Sequence, residues 1–529
     1  MRKIMLFVLL LPGVCPLFAQ DDDPLHLRFQ RLAVRRFIFS GNLVLNEFIP
    51  AETVAFSSMY PAFSVSESGE AASDEAFRPK IESGQWVLDA TCGTGPATVY
   101  MGGINPYATY DLEIAAYSGE SETGLEFARF GLRDRVQVVA NLKDKVSVRI
   151  VQNNRLLRET GFACTFPPDG FSLKVQLYGS TLGVFLTENG ETRYIGHLPV
   201  KEHFGDVLDF RKPETGLQST FNLISDLKAE VRIRKVSSFL SPGIGQADIR
   251  PVSYEDLSPY LEDGRLWFTF SCRGLDTPQS VQGVLSVNPS VFDVRFEGII
   301  VFDHGDGLLR NDYAAHLFYD RYVQEWRALA CDFGGSAGKE GRAATGLVTA
   351  VSRHDPRRGF SVMKASRIAP EMLDGKNEDP CIFYDDSVGK WRLLTSAFVK
   401  GNITARLYES EAWNGPFTGI TPPIEQNSTG TSLQKIGGKV YALMGGKENL
   451  RVHSYPGLQE LGELKLYLQP HWPKPAGRIW AGVVPLPEGY PYRYVLLTMD
   501  RPNFPGVKGA NWSYGALYFY GGAAGAFIF

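Results

Sequence analysis

The chain has 529 residues, a formal net charge of −4 and 44% hydrophobic residues. That is more than one ordinary core accommodates, so two domains are expected, and it leaves no basic footprint for a phosphate backbone, so nucleic acid is not expected as a partner. The histidines form no HxxxH or HExxH spacing and the cysteines no CxxC pair, which argues against zinc.

The chain opens on Met1-Arg2-Lys3, an apolar run from Ile4 to Leu11 and a small residue at Ala19 before Gln20 and three aspartates. This is the pattern of a signal peptide over residues 1–19. Cys15 is a poor lipid-anchor site, because Val14 precedes it and Pro16 follows. No later apolar stretch reaches the roughly 20 residues of a membrane span. The expected product is exported, periplasmic or at the cell surface, with no transmembrane segment. Its cysteines would be Cys92, Cys164, Cys272, Cys331 and Cys381, an odd number that fits small buried hydrophobes and assigns no disulfide.

Residues 27–240 alternate apolar and polar positions, as in Val136–Ala140, Val146–Ile150, Leu173–Leu177 and Val231–Val236, with no long helical period. Gly183–Thr187 and Thr192–Gly196 flank Glu188-Asn189-Gly190-Glu191, a hairpin signal. An antiparallel β-sandwich is expected, and the pattern resembles a concanavalin-like jelly roll. Ser241-Pro242-Gly243-Ile244-Gly245 marks a boundary.

From there to residue 520 a loose unit recurs, with a polar or acidic start, a strand, a turn and an aromatic-rich strand. The starts fall at Asp248, Asp312, Asp379, Thr431 and Arg478, each leaving about 45 to 70 residues for a four-stranded blade. Five starts suggest a five-bladed β-propeller over residues 246–520, so the chain is expected to be all-β. The tail Gly521-Gly522-Ala523-Ala524-Gly525-Ala526 reads as a flexible end.

Propeller blades bring their innermost strands to one funnel, so acidic residues at several starts can meet there. Sugar hydrolysis needs one protonated carboxyl for the glycosidic oxygen and one ionised carboxylate across the ring. Asp248, Asp312 and the pair Glu378-Asp379 are the candidates. Glu378 is preferred as acid for its longer reach, with Asp379 as the alternative, Asp248 as base, and Asp312 to orient the sugar. Any one of them alone also fits a blade-closing hydrogen bond.

Arg250, Arg273, Arg310 and Arg478 stand at or near unit starts, and a guanidinium fork suits a carboxylate, which points to an anionic sugar. Arg310 fits a surface pair with Asp306 equally well. His316, Thr431 and Trp480 complete the candidate binding residues, Trp480 as a platform for a sugar face or as filler between blades.

The opening Asp248, then Asp312, then Asn377-Glu378-Asp379-Pro380 resemble the catalytic trio of the five-bladed propeller glycoside hydrolases, the group of families 32, 43, 68, 117 and 130. The resemblance implies a base or nucleophile from the first blade, a helper carboxylate from the second and an acid from the third. The longer runs Ala247–Val252, Gly305–Asp312, Asn377–Pro380 and Asn511–Tyr518 are similar to family 143, which implies release of 2-keto-3-deoxy-D-lyxo-heptulosaric acid from pectic rhamnogalacturonan II. Unit one departs from the family 43 pattern, with Asp-Ile-Arg-Pro in place of Asp-Pro. No cofactor is called for, and calcium on the propeller axis has no ligand loop behind it. The competing expectations are a glycoside phosphorylase and a non-catalytic glycan-binding surface protein; the partner is an oligosaccharide or polysaccharide in each case.

Overall fold

The computed structural model of the chain describes residues 22–36, 38–50, 62–65, 71–73, 80–93, 96–129, 133–179, 181–199, 212–275, 280–310, 312–332, 346–373, 375–445, 449–466, 480, 482–500, 502–508 and 514–524. The signal-peptide reading lies outside these residues, as do Arg478, Asn511 and Trp512. Among the described residues no helix is long and apolar enough to cross a membrane.

Alternating sequence becomes two packed sheets. One runs Glu191–Pro199, Thr181–Glu188, Phe171–Tyr178, Ala108–Tyr117, Val231–Leu240, Gln85–Leu88 and Lys80–Glu82, with Val44–Phe48 also on Val231–Leu240. The other runs Arg155–Ala163, Lys145–Gln152, Arg135–Asn141, Glu122–Arg129, Ser219–Ser225, Ala97–Gly103, Ala62–Val65 and Ala71–Ser73. Their inward residues, among them Leu112, Val175 and Val184 against Leu125, Phe127 and Leu223, form one buried core. This is the expected sandwich. The hairpin turn has positive φ at both Asn189 and Gly190 (50° and 81°), the primed geometry that matches strand twist.

The remainder of the chain forms a propeller of antiparallel strand sets. The first is Gly245–Pro251, Arg265–Arg273, Ser280–Asn288 and Asp293–Asp303; the second is Tyr313–Asp320, Glu325–Cys331, Leu347–Ser352 and Gly359–Arg367. The third is Asn377–Asp385, Lys390–Val399, Asn402–Ser410 and Thr418–Gly419; the fourth is Thr429–Ile436, Lys439–Gly445, Asn449–Ser454 and Glu460–Lys465. The last joins Gly482–Pro485, Tyr494–Met499 and Ala516–Ala524 to Leu27–Arg36. The first strand of each set touches that of the next, and Gly482–Pro485 returns to Gly245–Pro251, so the ring closes.

Two expectations need correction. The strand Leu27–Arg36 pairs along Ala516–Ala524, from Leu27 opposite Ala524 to Arg36 opposite Ala516. It therefore sits in the last propeller sheet, and the sandwich strands begin at Val44. The glycine-rich tail is a strand between two others as far as Ala524, not a flexible end. Its glycines are there for closeness: a Cβ on Gly521 would lie 2.5 Å from Tyr492, and one on Gly522 2.6 Å from Phe29. Composition resembling a loose end is here the composition of a strand under aromatic rings.

The sandwich rests on the propeller through buried apolar groups. Tyr107, Tyr178 and Leu240 share a core with Ala247, Ile249, Phe270 and Cys272. Tyr178 packs so tightly that a Cβ on Gly274 would come within 2.8 Å of it, and one on Gly243 within 2.2 Å of the Arg273 carbonyl. The end of the strand that carries Arg273 is thereby held from two sides.

Candidate active site

The same device opens the innermost strand in four sets. Three residues on the first strand span two on its partner between Ala247 and Arg250, Tyr313 and His316, Glu378 and Cys381, and Thr429 and Ser432. Each of these β-bulges holds one residue in the left-handed region: Asp248 (φ 55°), Ala314 (57°), Asp379 (58°) and Gly430 (65°). A bulge re-aims the side chain at the end of a strand. Equivalent positions are therefore Asp248, Ala314, Asp379 and Gly430, and one step earlier Ala247, Tyr313, Glu378 and Thr429. The acidic starts inferred from sequence are out of phase with this repeat: Glu378 precedes its bulge residue by one, and Asp312 precedes Ala314 by two.

Asp248 is 5% exposed and accepts from Ser271 Oγ at 2.6 Å and from Arg273 Nη2 at 3.4 Å. Ser271 Oγ also accepts from the Ala314 amide at 3.3 Å, which ties the first set to the second. Arg273 lies 5.8 Å from the centre of the Tyr313 ring. Asp379 accepts from Ser396 Oγ and from the Gly430 amide, both at 3.0 Å, and its own amide donates to Cys331 Sγ. Thr431 Oγ1 donates to the Asp379 carbonyl at 3.0 Å, and the Thr431 carbonyl accepts from Arg250 Nη1 at 2.7 Å. Arg250 in turn lies 5.6 Å from the Trp480 ring, against which a Cβ at residue 430 would stand only 2.9 Å away. Residue 430 must be glycine.

These contacts separate the roles of the two adjacent carboxyls. Burial raises the Glu378 carboxyl to about 9, and the charges of Asp379 and then Asp248 add to the rise. No described residue donates a hydrogen bond to it. Burial also raises Asp379, to about 6, but Arg250, the Gly430 amide and Ser396 oppose the rise by favouring its ionised form. The two titrate as a pair, and the proton of that pair stays on Glu378.

The structure thus brings together Asp248, Glu378, Asp379, Arg250, Arg273, Thr431 and Trp480. Asp312 is fully buried and accepts from His304 Nε2 at 2.8 Å. Arg310 pairs with Asp306 at a partly exposed turn, the surface alternative. His316 is a wall residue: its Nδ1 accepts from the Ile382 amide and its Nε2 faces Ser253 Oγ, both at 3.1 Å, and burial followed by the charge of Arg250 lowers its pKa to about 3.

Sequence reasoning missed Ser271, Ser396 and Tyr313. Ser271 and Ser396 hold the register opposite Ala247 and Glu378, so a serine one strand over from each bulge aspartate was the signal available. Tyr313 occupies the position of Glu378 in the second set, and burial raises its phenol. The five described cysteines are free and buried. Among the described residues no group of three His, Cys, Asp or Glu could hold a metal ion.

No protein-family model and no curated protein matches the sequence. Among solved structures, the chain is similar to an inulosucrase from Halalkalicoccus jeotgali bound to kestose (TM-score 0.39, 13% identity, 54% of this chain and 86% of that one). It is also similar to a family 117 glycoside hydrolase produced by the marine bacterium Zobellia galactanivorans (TM-score 0.37, 10% identity, 53% and 85%). A non-specific endo-β-1,3(4)-glucanase of family GH16 is similar over a smaller share (TM-score 0.29, 7% identity, 40% of this chain and 99% of that one). At scores this low the likeness carries no chemistry, and what the site can do follows from this chain's own residues.

Proposed function

We propose that this chain is an exported glycoside hydrolase whose general acid is Glu378 and whose base is Asp248. The observation that supports it is the division between neighbours: a carboxyl that keeps its proton at neutral pH stands beside a carboxylate paired with Arg273 and a second one held by Ser396 and Gly430. Glu378 gives its proton to the glycosidic oxygen as the bond to the anomeric carbon breaks. Asp248 takes a proton from the attacking water, and Arg273 and Ser271 hold its carboxylate in place. Asp379 keeps the Glu378 proton in place by its negative charge. Asp312, buried on His304, is a positioning carboxylate in this scheme.

Arg273 and Arg250 give the site positive charge, which suits a sugar that carries a carboxylate. The substrate we propose is an acidic sugar of pectin, in rhamnogalacturonan II. Incubation with pectic oligosaccharides tests this: wild type should release an acidic monosaccharide, while Asp248→Asn and Glu378→Gln, with unchanged circular dichroism, should release none. A sugar phosphate formed only when phosphate is added would replace hydrolysis by phosphorolysis. Binding without any product would leave a glycan-binding protein and end the enzymatic reading.

A further inference from the structure

One layer further along the innermost strands, the residues equivalent to one another are Arg250, His316, Cys381 and Ser432, and all four line a single small cavity together with Ser253 and Gln434. Its volume is about 20 Å³, against the roughly 10–15 Å³ needed by one water. It has room for one water-sized particle. No carboxylate is among the residues that line it.

The hydrogen bonds around this cavity leave donors facing no acceptor. Arg250 is 3% exposed; its Nη1 is taken by the Thr431 carbonyl, but nothing among the described residues accepts from Nε or Nη2. His316 Nδ1 accepts from an amide, so its proton is on Nε2 and goes to Ser253 Oγ. Ser253 is then an acceptor whose own O–H proton is unspent. Gln434 Nε2 donates to Ser432 Oγ, whose own proton faces the weakly accepting Cys381 sulfur and is easily turned into the space. A guanidinium, two hydroxyls and a neutral histidine surround the space. A cation there would meet Arg250 at short range, and a water would leave two guanidinium donors sharing one neutral acceptor, with Asp379 the nearby counter-charge outside the cavity lining.

We propose that this cavity binds one small monovalent anion of the halide class, chloride in ordinary salt, held by Arg250 and the hydroxyls of Ser253 and Ser432. The proposal shares Arg250 with the hydrolase reading but neither its acid nor its base, and the bromide and melting experiments read the cavity without any sugar, so either can fail while the other stands.

Crystals of the full chain soaked in sodium bromide test it directly. The expected result is an anomalous peak in the cavity within hydrogen-bonding distance of an Arg250 nitrogen and a serine oxygen. In solution, the melting temperature at constant ionic strength should rise saturably as gluconate is replaced by chloride. Arg250→Met should abolish that rise. Should that variant not fold, Ser432→Ala, which removes one donor, should weaken the chloride midpoint about tenfold. Any of three results overturns the proposal: water density without a bromide peak, a rubidium peak in the cavity, or equal melting in chloride and gluconate.

Discussion

Exchange of Glu378 for glutamine removes a carboxyl that the fold holds protonated. Its ordinary pKa is 4.5 and the folded value is about 9. A group whose folded pKa is raised contributes fully below the unfolded value, and that contribution is lost as pH rises through the folded one. Between pH 4.5 and 9 the unfolded chain is ionised here and the folded chain is not. Each pH unit in that window therefore costs the wild type about 1.4 kcal/mol, or about 3 kcal/mol at pH 7. Glu378 is partly exposed, and solvent reduces the figure to about 1–3 kcal/mol. Glutamine cannot ionise and carries no such penalty. Urea denaturation of both proteins at pH 4, 5.5, 7 and 8.5 should show equal stability at pH 4 and a growing advantage of Glu378→Gln above it. Sugar release by the variant should fall by at least about 10²-fold. A stability difference that stays flat across the series, or a glutamine variant that is the weaker one at pH 7, would refute the assignment of the proton to Glu378.

Substitutions at three further residues follow from the same structure. Ser396→Ala removes a donor to the Asp379 carboxylate and should cost about 1–2 kcal/mol at pH 7.5; because the lost bond favours the ionised form, urea midpoints should converge with wild type as pH falls from about 6 towards 4. Arg357 is 1% exposed, its guanidinium 4.1 Å from the Trp267 ring, 4.3 Å from Tyr260 and 4.7 Å from Trp326, with Asp355 at 2.7 Å. Arg357→Ala should destabilise by about 3–5 kcal/mol in the same assay, and Arg357→Met by less, since it refills the aromatic slot. Ala314 sits at φ 57° with no side-chain bond to reward it, so Ala314→Gly should raise stability by about 0.5–1 kcal/mol despite the added freedom of the unfolded chain.

The sandwich and the propeller were legible because period-2 alternation and recurrent aromatic strands survive in the sequence. Asp248, Glu378 and Asp379 were legible as acidic strand openings. The phase of the repeat was not: a bulge adds one residue that no hydrophobic pattern records, so Asp312 looked equivalent to Asp248 when the equivalent residue is Ala314. Arg250 was singled out for its charge, but its layer, shared with His316, Cys381 and Ser432, depends on that same phase. The roles of Leu27–Arg36 and of the glycine-rich tail were hidden for another reason. Each is defined by a partner at the far end of the chain, and local composition contains nothing of it.

That pairing has a consequence for how the molecule is made. Leu27–Arg36 leaves the ribosome ahead of everything it will join, and Ala516–Ala524 emerges only after the sandwich strands and the other propeller sheets. In between, the sandwich strands have all the residues they need and can fold while translation continues. The early segment must meanwhile wait, its strand edges unmatched, until the last sheet arrives to be latched. A nascent chain of this protein therefore depends on whatever shields that waiting segment, and a stalled one carries an open ring however complete its other parts.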